Sequence, residues 1–112
     1  MKIGTLMAAT MAVLLAAGAG AAVAADPTVD LVIKDHRFSP DRIEVQSGTK
    51  VILSIHNQDA TAEEFESDEL KREKVIPAGK TVKVTVGPLK PGEYPFKGEF
   101  HEDTARGVIV VK

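Results

Sequence analysis

Two pairs of potential metal ligands stand two residues apart in the sequence. Glu64 and Glu66 flank Phe65, and Glu99 and His101 have the same spacing. In an extended strand, residues at positions i and i+2 point to the same face, so each pair would present its two side chains together. Two carboxylates on one face repel each other unless a cation lies between them. The spacing therefore predicts a cation there, either a metal ion or a basic side chain.

The donor atoms restrict which metal could bind. The chain contains no cysteine, and its methionines are Met1, Met7 and Met11. Imidazole and carboxylate are the remaining strong donors, and they suit Cu(II), iron, Zn(II) or Mn(II) but disfavour Cu(I). Because Cu(II) stands above iron in the general order of affinity, metal supply would have to decide which ion is bound.

The first 25 residues have the layout of a secretory signal peptide. Lys2 precedes an apolar run from Leu6 to Ala17, and small residues lead to Ala25. This run is shorter than the ~20 apolar residues that a membrane span requires. No cysteine follows it, which excludes a lipid-anchored lipoprotein. We therefore predict removal of residues 1–25 and export of a mature chain 26–112 to the periplasm, without a transmembrane span.

Composition narrows the function classes. Without Lys2, the 14 basic residues of the chain become 13 against 16 acidic ones, a net charge of −3. The basic residues are scattered and the chain has a single tyrosine, which argues against nucleic-acid binding. There is no cysteine nucleophile, no G-x-S-x-G motif and no glycine-rich phosphate loop. Metal redox chemistry is the enzymatic activity that the residues leave open.

Apolar residues alternate with polar ones in six runs, which predicts β-strands. Turn residues separate these runs, as in Ser39-Pro40-Asp41 and Pro91-Gly92. The pattern favours one antiparallel sandwich over residues 26–112. The charged segment 61–74 leaves three interpretations open: a long loop, a strand flanked by loops, or helical turns. The runs are 29–33, 43–45, 51–55, 82–86, 94–96 and 107–111.

Three stretches in order resemble a cupredoxin: FSPDRIEVQSGTKVILSIHNQD, PLKPGEYPF and FHEDTARGVIVVK. The resemblance implies an all-β, cupredoxin-like antiparallel Greek-key β-sandwich. It places the family's loop histidine at His101, its cysteine at Gly98 and its methionine at Ala105, and its upstream histidine within AEEF, residues 62–65. Since three of the four blue-copper ligands are missing, a blue-copper electron-transfer site is not expected.

A narrower resemblance is to the cupredoxin-like domain of periplasmic bacterial iron-uptake proteins of the EfeO type. It rests on Glu64-Phe65-Glu66, Arg72-Glu73 and Pro77-Ala78-Gly79. It implies copper or iron binding in support of high-affinity iron uptake or iron oxidation, with an iron permease or a periplasmic iron-uptake subunit as partner. Larger members continue into a helical domain, so a chain ending at Lys112 would be a stand-alone version.

The resemblance also brings the two ligand pairs to one end of the sandwich. The predicted metal ligands are therefore Glu64, Glu66, Glu99 and His101. In the opposing interpretation the acidic segment is a solvated loop neutralised by its own basic residues, Lys71, Arg72 and Lys74.

Three other side chains near this end have different predicted roles. His36 would lie at the same end as a solvated turn residue, and Asn57 and Asp59 would fix loop geometry. Two other functions stay open: a metal-free binding module that docks a permease or periplasmic subunit, and a periplasmic copper carrier.

Overall fold

The computed structural model describes residues 26–112, so the predicted signal peptide lies outside the described residues. Within them the fold is nine strands and one short 3-10 helix, and no helix is long and apolar enough to span a membrane. The strands are β1 Thr28–Lys34, β2 Arg37–Ser39, β3 Arg42–Val45, β4 Val51–Asn57, β5 Glu63–Ser67, β6 Arg72–Ile76, β7 Thr81–Val86, β8 Gly92–Gly98 and β9 Arg106–Val111; the 3-10 helix is Glu99–His101.

The strands form two sheets, with orders β2-β1-β4-β7 and β3-β9-β8-β5-β6. Most neighbours are antiparallel, but β1 pairs with β4 and β3 pairs with β9 in parallel. Between β1 and β4 the chain visits the second sheet as β3, and parallel neighbours require such a crossover. The all-β cupredoxin-like sandwich is confirmed, and its sheets are mixed rather than wholly antiparallel.

The alternating runs build the core between the sheets. In β4 every second side chain is buried, from Val51 to Asn57. Three phenylalanines from both sheets, Phe38, Phe65 and Phe96, pack edge-on or tilted with ring centroids 5.0 to 6.2 Å apart. These rings fill the centre of the sandwich and pack the two sheets against each other.

The charged segment 61–74 is a hairpin of β5 and β6, with residues 68–71 as its turn. Phe65 is fully buried in the core, and it fixes which side chains of β5 point inward and which point outward. Glu63 and Ser67 share the inward direction of Phe65, whereas Glu64 and Glu66 point to the opposite face. Of the interpretations left open for this segment, the strand is the one that the structure shows.

Candidate metal centre

Four carboxylates converge on the outer face of the β5–β6 hairpin. Glu64 and Glu66 come from β5, Glu73 comes from β6, and Glu99 begins the 3-10 helix that follows β8. Each offers an oxygen within 4.8 Å of the others. Glu66 and Glu73 are direct cross-strand partners, an arrangement that is destabilising for like charges unless a cation is shared. We call these four residues the acidic group.

Glu64 is the buried member of the acidic group. It is only 6% exposed, and its Oε1 is buried without any hydrogen-bond donor. The contact with the Glu99 carboxyl, burial and the neighbouring Glu73 together raise the pKa of Glu64 to about 8. When Glu64 loses this proton, its ionised carboxyl has an oxygen that is removed from water and lacks a donor, which is costly. A cation at this oxygen would relieve that cost.

The proximity of these carboxyls also shifts the pKa values of Glu66 and Glu99. Glu99 raises the pKa of Glu66 chiefly through a shared hydrogen bond, and the pKa of Glu99 is lowered because Glu64 and Glu66 act as its donors. The group thus retains a proton that isolated carboxylates would lose. In the described part of the chain, the basic side chain that forms an ion pair with the group is Lys97, whose Nζ stands 4.0 Å from Glu66 Oε1 but 2.9 Å from Glu102 Oε1.

The opposing interpretation of the segment, a loop neutralised by Lys71, Arg72 and Lys74, does not describe this arrangement. Arg72 donates to the backbone carbonyls of Thr85 and Lys71. Among the described residues, the ion pair that reaches the acidic group comes from Lys97. The acidic group therefore carries more negative charge than its surroundings balance.

His101 belongs to a different group, on the other side of β5. Its Nδ1 lies 2.5 Å from Oε2 of Glu63, whose side chain is 2% exposed. Its ring stacks on His36, with centroids 3.6 Å apart and 13° between the planes. His36, Glu63 and His101 also bring ligand atoms within 4.8 Å of one another. We call these three residues the histidine group.

A hydrogen-bonded loop positions His36. The Asn57 side chain donates to the carbonyls of Thr61 and Ile76 and accepts from the Asp59 amide. The Asp59 carboxylate in turn accepts from the backbone amides of Asp35 and His36. This confirms the predicted role of Asn57 and Asp59 in fixing loop geometry. It also explains how His36, on the β1–β2 turn, is held against His101.

The four predicted ligands therefore divide between two neighbouring groups. The structure brings Glu64, Glu66 and Glu99 together and places His101 with Glu63 and His36. Sequence reasoning missed Glu73 as a group member, although it stands in the Arg72-Glu73 motif, because the pairing of β6 with β5 was not predicted. It also missed Glu63, although the alternation around Phe65 already placed it on the inner face.

The residues do not fit a blue-copper site. Gly98 and Ala105 stand where the resemblance expects cysteine and methionine, and neither offers a ligand. The space is filled as well: a Cβ on Gly98 would lie 2.7 Å from both the Glu63 carboxyl carbon and the Ala105 Cβ. Glu63 itself lies in residues 62–65, where the upstream histidine was expected. Its buried carboxyl fills the space beside Gly98 that a cysteine side chain would need.

Gly98→Ala tests this packing. Because Gly98 has an extended backbone, with φ −95° and ψ 109°, alanine adds no backbone strain there. The added methyl should displace Glu63 from His101 and cost about 1–3 kcal/mol of unfolding free energy. Denaturant unfolding of the two proteins measures the cost. A change within about 0.5 kcal/mol, as at a typical surface position, would contradict the packing.

Comparison with known proteins agrees with this architecture. The family model described as "Cupredoxin-like domain" matches residues 6–111. An uncharacterized protein from Rickettsia prowazekii is 49% identical over 83 residues, which cover 74% of this chain and 66% of that protein. The aligned part is thus just under two thirds of the relative's length.

Solved structures share the fold at low identity. The metal-binding domain of the Cu(I)-exporting P-type ATPase of Streptococcus pneumoniae is 14% identical, with a TM-score of 0.70 over 81% of this chain and 91% of that one. Auracyanin A, a blue copper protein from Chloroflexus aurantiacus, is 16% identical, with a TM-score of 0.66 over 77% and 99%. By its sequence match and its fold, the chain belongs to the cupredoxin-like domain family.

Proposed function

We propose that the chain is an exported cupredoxin-like protein that binds iron or copper at the acidic group and serves high-affinity iron uptake or iron oxidation. One observation carries the proposal: four carboxylates meet around a buried Glu64 oxygen that has no donor. Among the described residues, Lys97 is the basic side chain that forms an ion pair with the group, and its Nζ is closer to Glu102. A metal ion supplies the missing charge.

The donor set favours hard cations. The acidic group is oxygen-only, which suits iron, Mn(II) and other hard ions, and disfavours Cu(I). Glu73 and Glu99 are exposed, whereas Glu64 is buried. A site with one buried and several exposed ligands can anchor an ion and still leave it accessible to a receiving protein. Such a site suits transfer of a metal as cargo better than permanent enclosure.

The iron-uptake role rests on the resemblance to EfeO-type domains. Its two acidic motifs, Glu64-Phe65-Glu66 and Arg72-Glu73, are separate in sequence but contribute to the same acidic group. Because the two motifs supply carboxylates to one group, their joint presence supports the narrower resemblance. We accordingly propose a periplasmic location, and an iron permease or periplasmic iron-uptake subunit as the partner that receives the metal.

A second candidate is a metal-free docking module. Phe100 and Val75 are large apolar side chains that are 52% and 47% exposed. Phe100 follows Glu99, and Val75 is paired with Glu64 across the β5–β6 hairpin. Exposed apolar side chains beside an acidic surface are suited to binding a protein. In this function the acidic group would contact basic residues of the partner instead of a metal.

Calorimetric titration with Fe(II) under anaerobic conditions, and with Cu(II), separates the two candidates. We expect one metal ion at the acidic group. Glu66→Gln and Glu73→Gln should each weaken it about tenfold or more, equivalent to at least ~1.4 kcal/mol. Glu93→Gln, at an exposed glutamate outside the group, is the matched control. Equal effects of all three substitutions, or no binding by the unchanged protein, would count against the metal site and favour the docking module.

A further inference from the structure

A surface cavity adjoins the acidic group at the turn of the β5–β6 hairpin. Its volume is about 350 Å³, and two members of the acidic group, Glu66 and Glu73, form part of its wall. The rest of the lining comes from the end of β5, the turn and the start of β6: Ser67, Asp68, Lys71 and Arg72. We propose that this cavity holds a small organic polycarboxylate bound together with the metal ion, a proposal that rests on the function proposed above.

Lys71 supplies the positive charge that an anion in this cavity would need. It is exposed, and within residues 26–112 its ammonium group forms no ion pair. Its backbone has φ 55°, in the left-handed region that glycine or asparagine usually occupies. Such a conformation costs free energy in a lysine, and costs of this kind are found where a side chain is needed at one position. The turn thus presents an unpaired cation beside the acidic group.

Arg72 adds a fixed positive charge next to Lys71. Its Nε donates to the Thr85 carbonyl at 2.9 Å, and its Nη1 donates to the Lys71 carbonyl at 3.1 Å. Carbonyl partners orient a guanidinium group but do not neutralise it, and the group stays charged at any ordinary pH. The cavity is therefore lined by two basic residues without a carboxylate partner in the part of the chain that the structure describes.

The size and the charges of the cavity favour an organic polycarboxylate over a single inorganic anion. Its volume lies at the lower end of the range for small-molecule sites, about 300–1,000 Å³. Carboxylates are also the oxygen donors that suit the hard cations expected at the acidic group. A molecule with several carboxyl groups can place one beside Lys71 and another on a metal ion held by Glu66 and Glu73. Citrate is a suitable probe of this class.

Binding of the anion should depend on the metal. In the metal-free protein the acidic group repels a second anion, because Glu66 and Glu73 line the cavity itself. A bound metal ion offsets this charge. The acidic group offers four ligand residues, fewer than an octahedral ion takes, so positions remain for oxygens of the anion. By linkage, the anion should raise the affinity for the metal by the same factor as the metal raises the affinity for the anion.

Equilibrium dialysis of the protein against Fe(II) and radiolabelled citrate, under anaerobic conditions, tests the shared site. We expect one citrate per chain when one Fe(II) is bound, and at least about tenfold weaker citrate binding without the metal. Lys71→Gln should weaken citrate binding about tenfold or more, and should leave Fe(II) binding without citrate within about twofold of the unchanged protein. Lys74→Gln is the matched control, because Lys74 is an exposed lysine of the same hairpin that is not part of the cavity lining.

Metal-loaded protein that retains no citrate, or equal citrate binding by the Lys71→Gln and Lys74→Gln proteins, would overturn the proposal. Equal citrate binding with and without Fe(II) would contradict the sharing of the metal. Loss of Fe(II) from the unchanged protein to citrate would mean competition instead of joint binding. Fe(II) binding without citrate reports on the acidic group alone. Fe(II) bound without citrate therefore refutes only the shared site, whereas no Fe(II) in either arm refutes the proposed function as well.

Discussion

Replacing Glu64 with glutamine should weaken metal binding and at the same time stabilise the metal-free protein at alkaline pH. Glutamine keeps the length of the side chain but cannot carry the negative charge that a metal would bind. We expect the affinity for Fe(II) and Cu(II) to fall at least about tenfold. The same substitution removes a carboxyl that is buried without a donor.

The pH dependence follows from the pKa of Glu64, which is raised from its ordinary value of 4.5 to about 8. The folded protein retains a proton that the unfolded chain releases, so this contribution to stability is complete below about pH 4.5. It is lost as pH rises through about 8. At pH 9 Glu64→Gln should therefore be more stable than the unchanged protein, by about 1–3 kcal/mol.

Urea unfolding of the metal-free proteins at pH 5 and pH 9 measures this difference, with Glu93→Gln as the control. We expect little gain from Glu64→Gln at pH 5 and a clear gain at pH 9. Such a trade of stability for binding is common where a site needs an unfavourable arrangement. A variant that loses stability at pH 9, or that binds metal as tightly as the unchanged protein, would contradict the assignment of Glu64.

Replacing Phe65 with alanine should have the largest effect on stability. Phe65 is fully buried, with its ring centroid 5.1 Å from that of Phe96 and 6.2 Å from that of Phe38. Loss of the ring leaves a cavity between the sheets, and such substitutions cost about 3–5 kcal/mol. Because Phe65 stands between Glu64 and Glu66, the acidic group should lose its geometry together with the core.

The matched control for this substitution is Phe100→Ala. Phe100 is 52% exposed, so its removal should change the unfolding free energy by no more than about 0.5 kcal/mol. Denaturant unfolding of both variants gives the comparison. Equal losses would mean that β5 does not anchor the acidic pair through the core, and the strand assignment of this segment would be in error.

Much of the fold was predictable because burial on one face imposes a period of two on a strand. The six alternating runs are all strands in the structure. The sequence does not decide whether residues 61–74 form a hairpin. The side chains of β6 are mostly exposed and show no apolar alternation, and the charges of the segment are also typical of a solvated loop. Within β5, the large apolar side chain of Phe65 is the feature that indicates a core strand.

The metal ligands were predictable only in part, because pairing between strands decides which carboxylates meet. The two-residue spacing predicts that Glu64 and Glu66 lie together. Glu73 lies beside them only because β6 pairs with β5 in a register that places Glu73 opposite Glu66. Spacing also joined Glu99 to His101. A 3-10 helix does not alternate as a strand does, and the two side chains separate to different groups. The stack of His36 on His101 depends on a turn fixed by Asp59, which no local pattern reveals.

Anomalous diffraction would show directly whether a metal ion binds at the acidic group. Crystals of the protein would be grown with Fe(II) under anaerobic conditions, and data would be collected on both sides of the iron absorption edge. We expect an anomalous peak among the carboxylates of Glu64, Glu66, Glu73 and Glu99, in contact with the buried Oε1 of Glu64. An empty acidic group, with iron bound elsewhere or not at all, would contradict it.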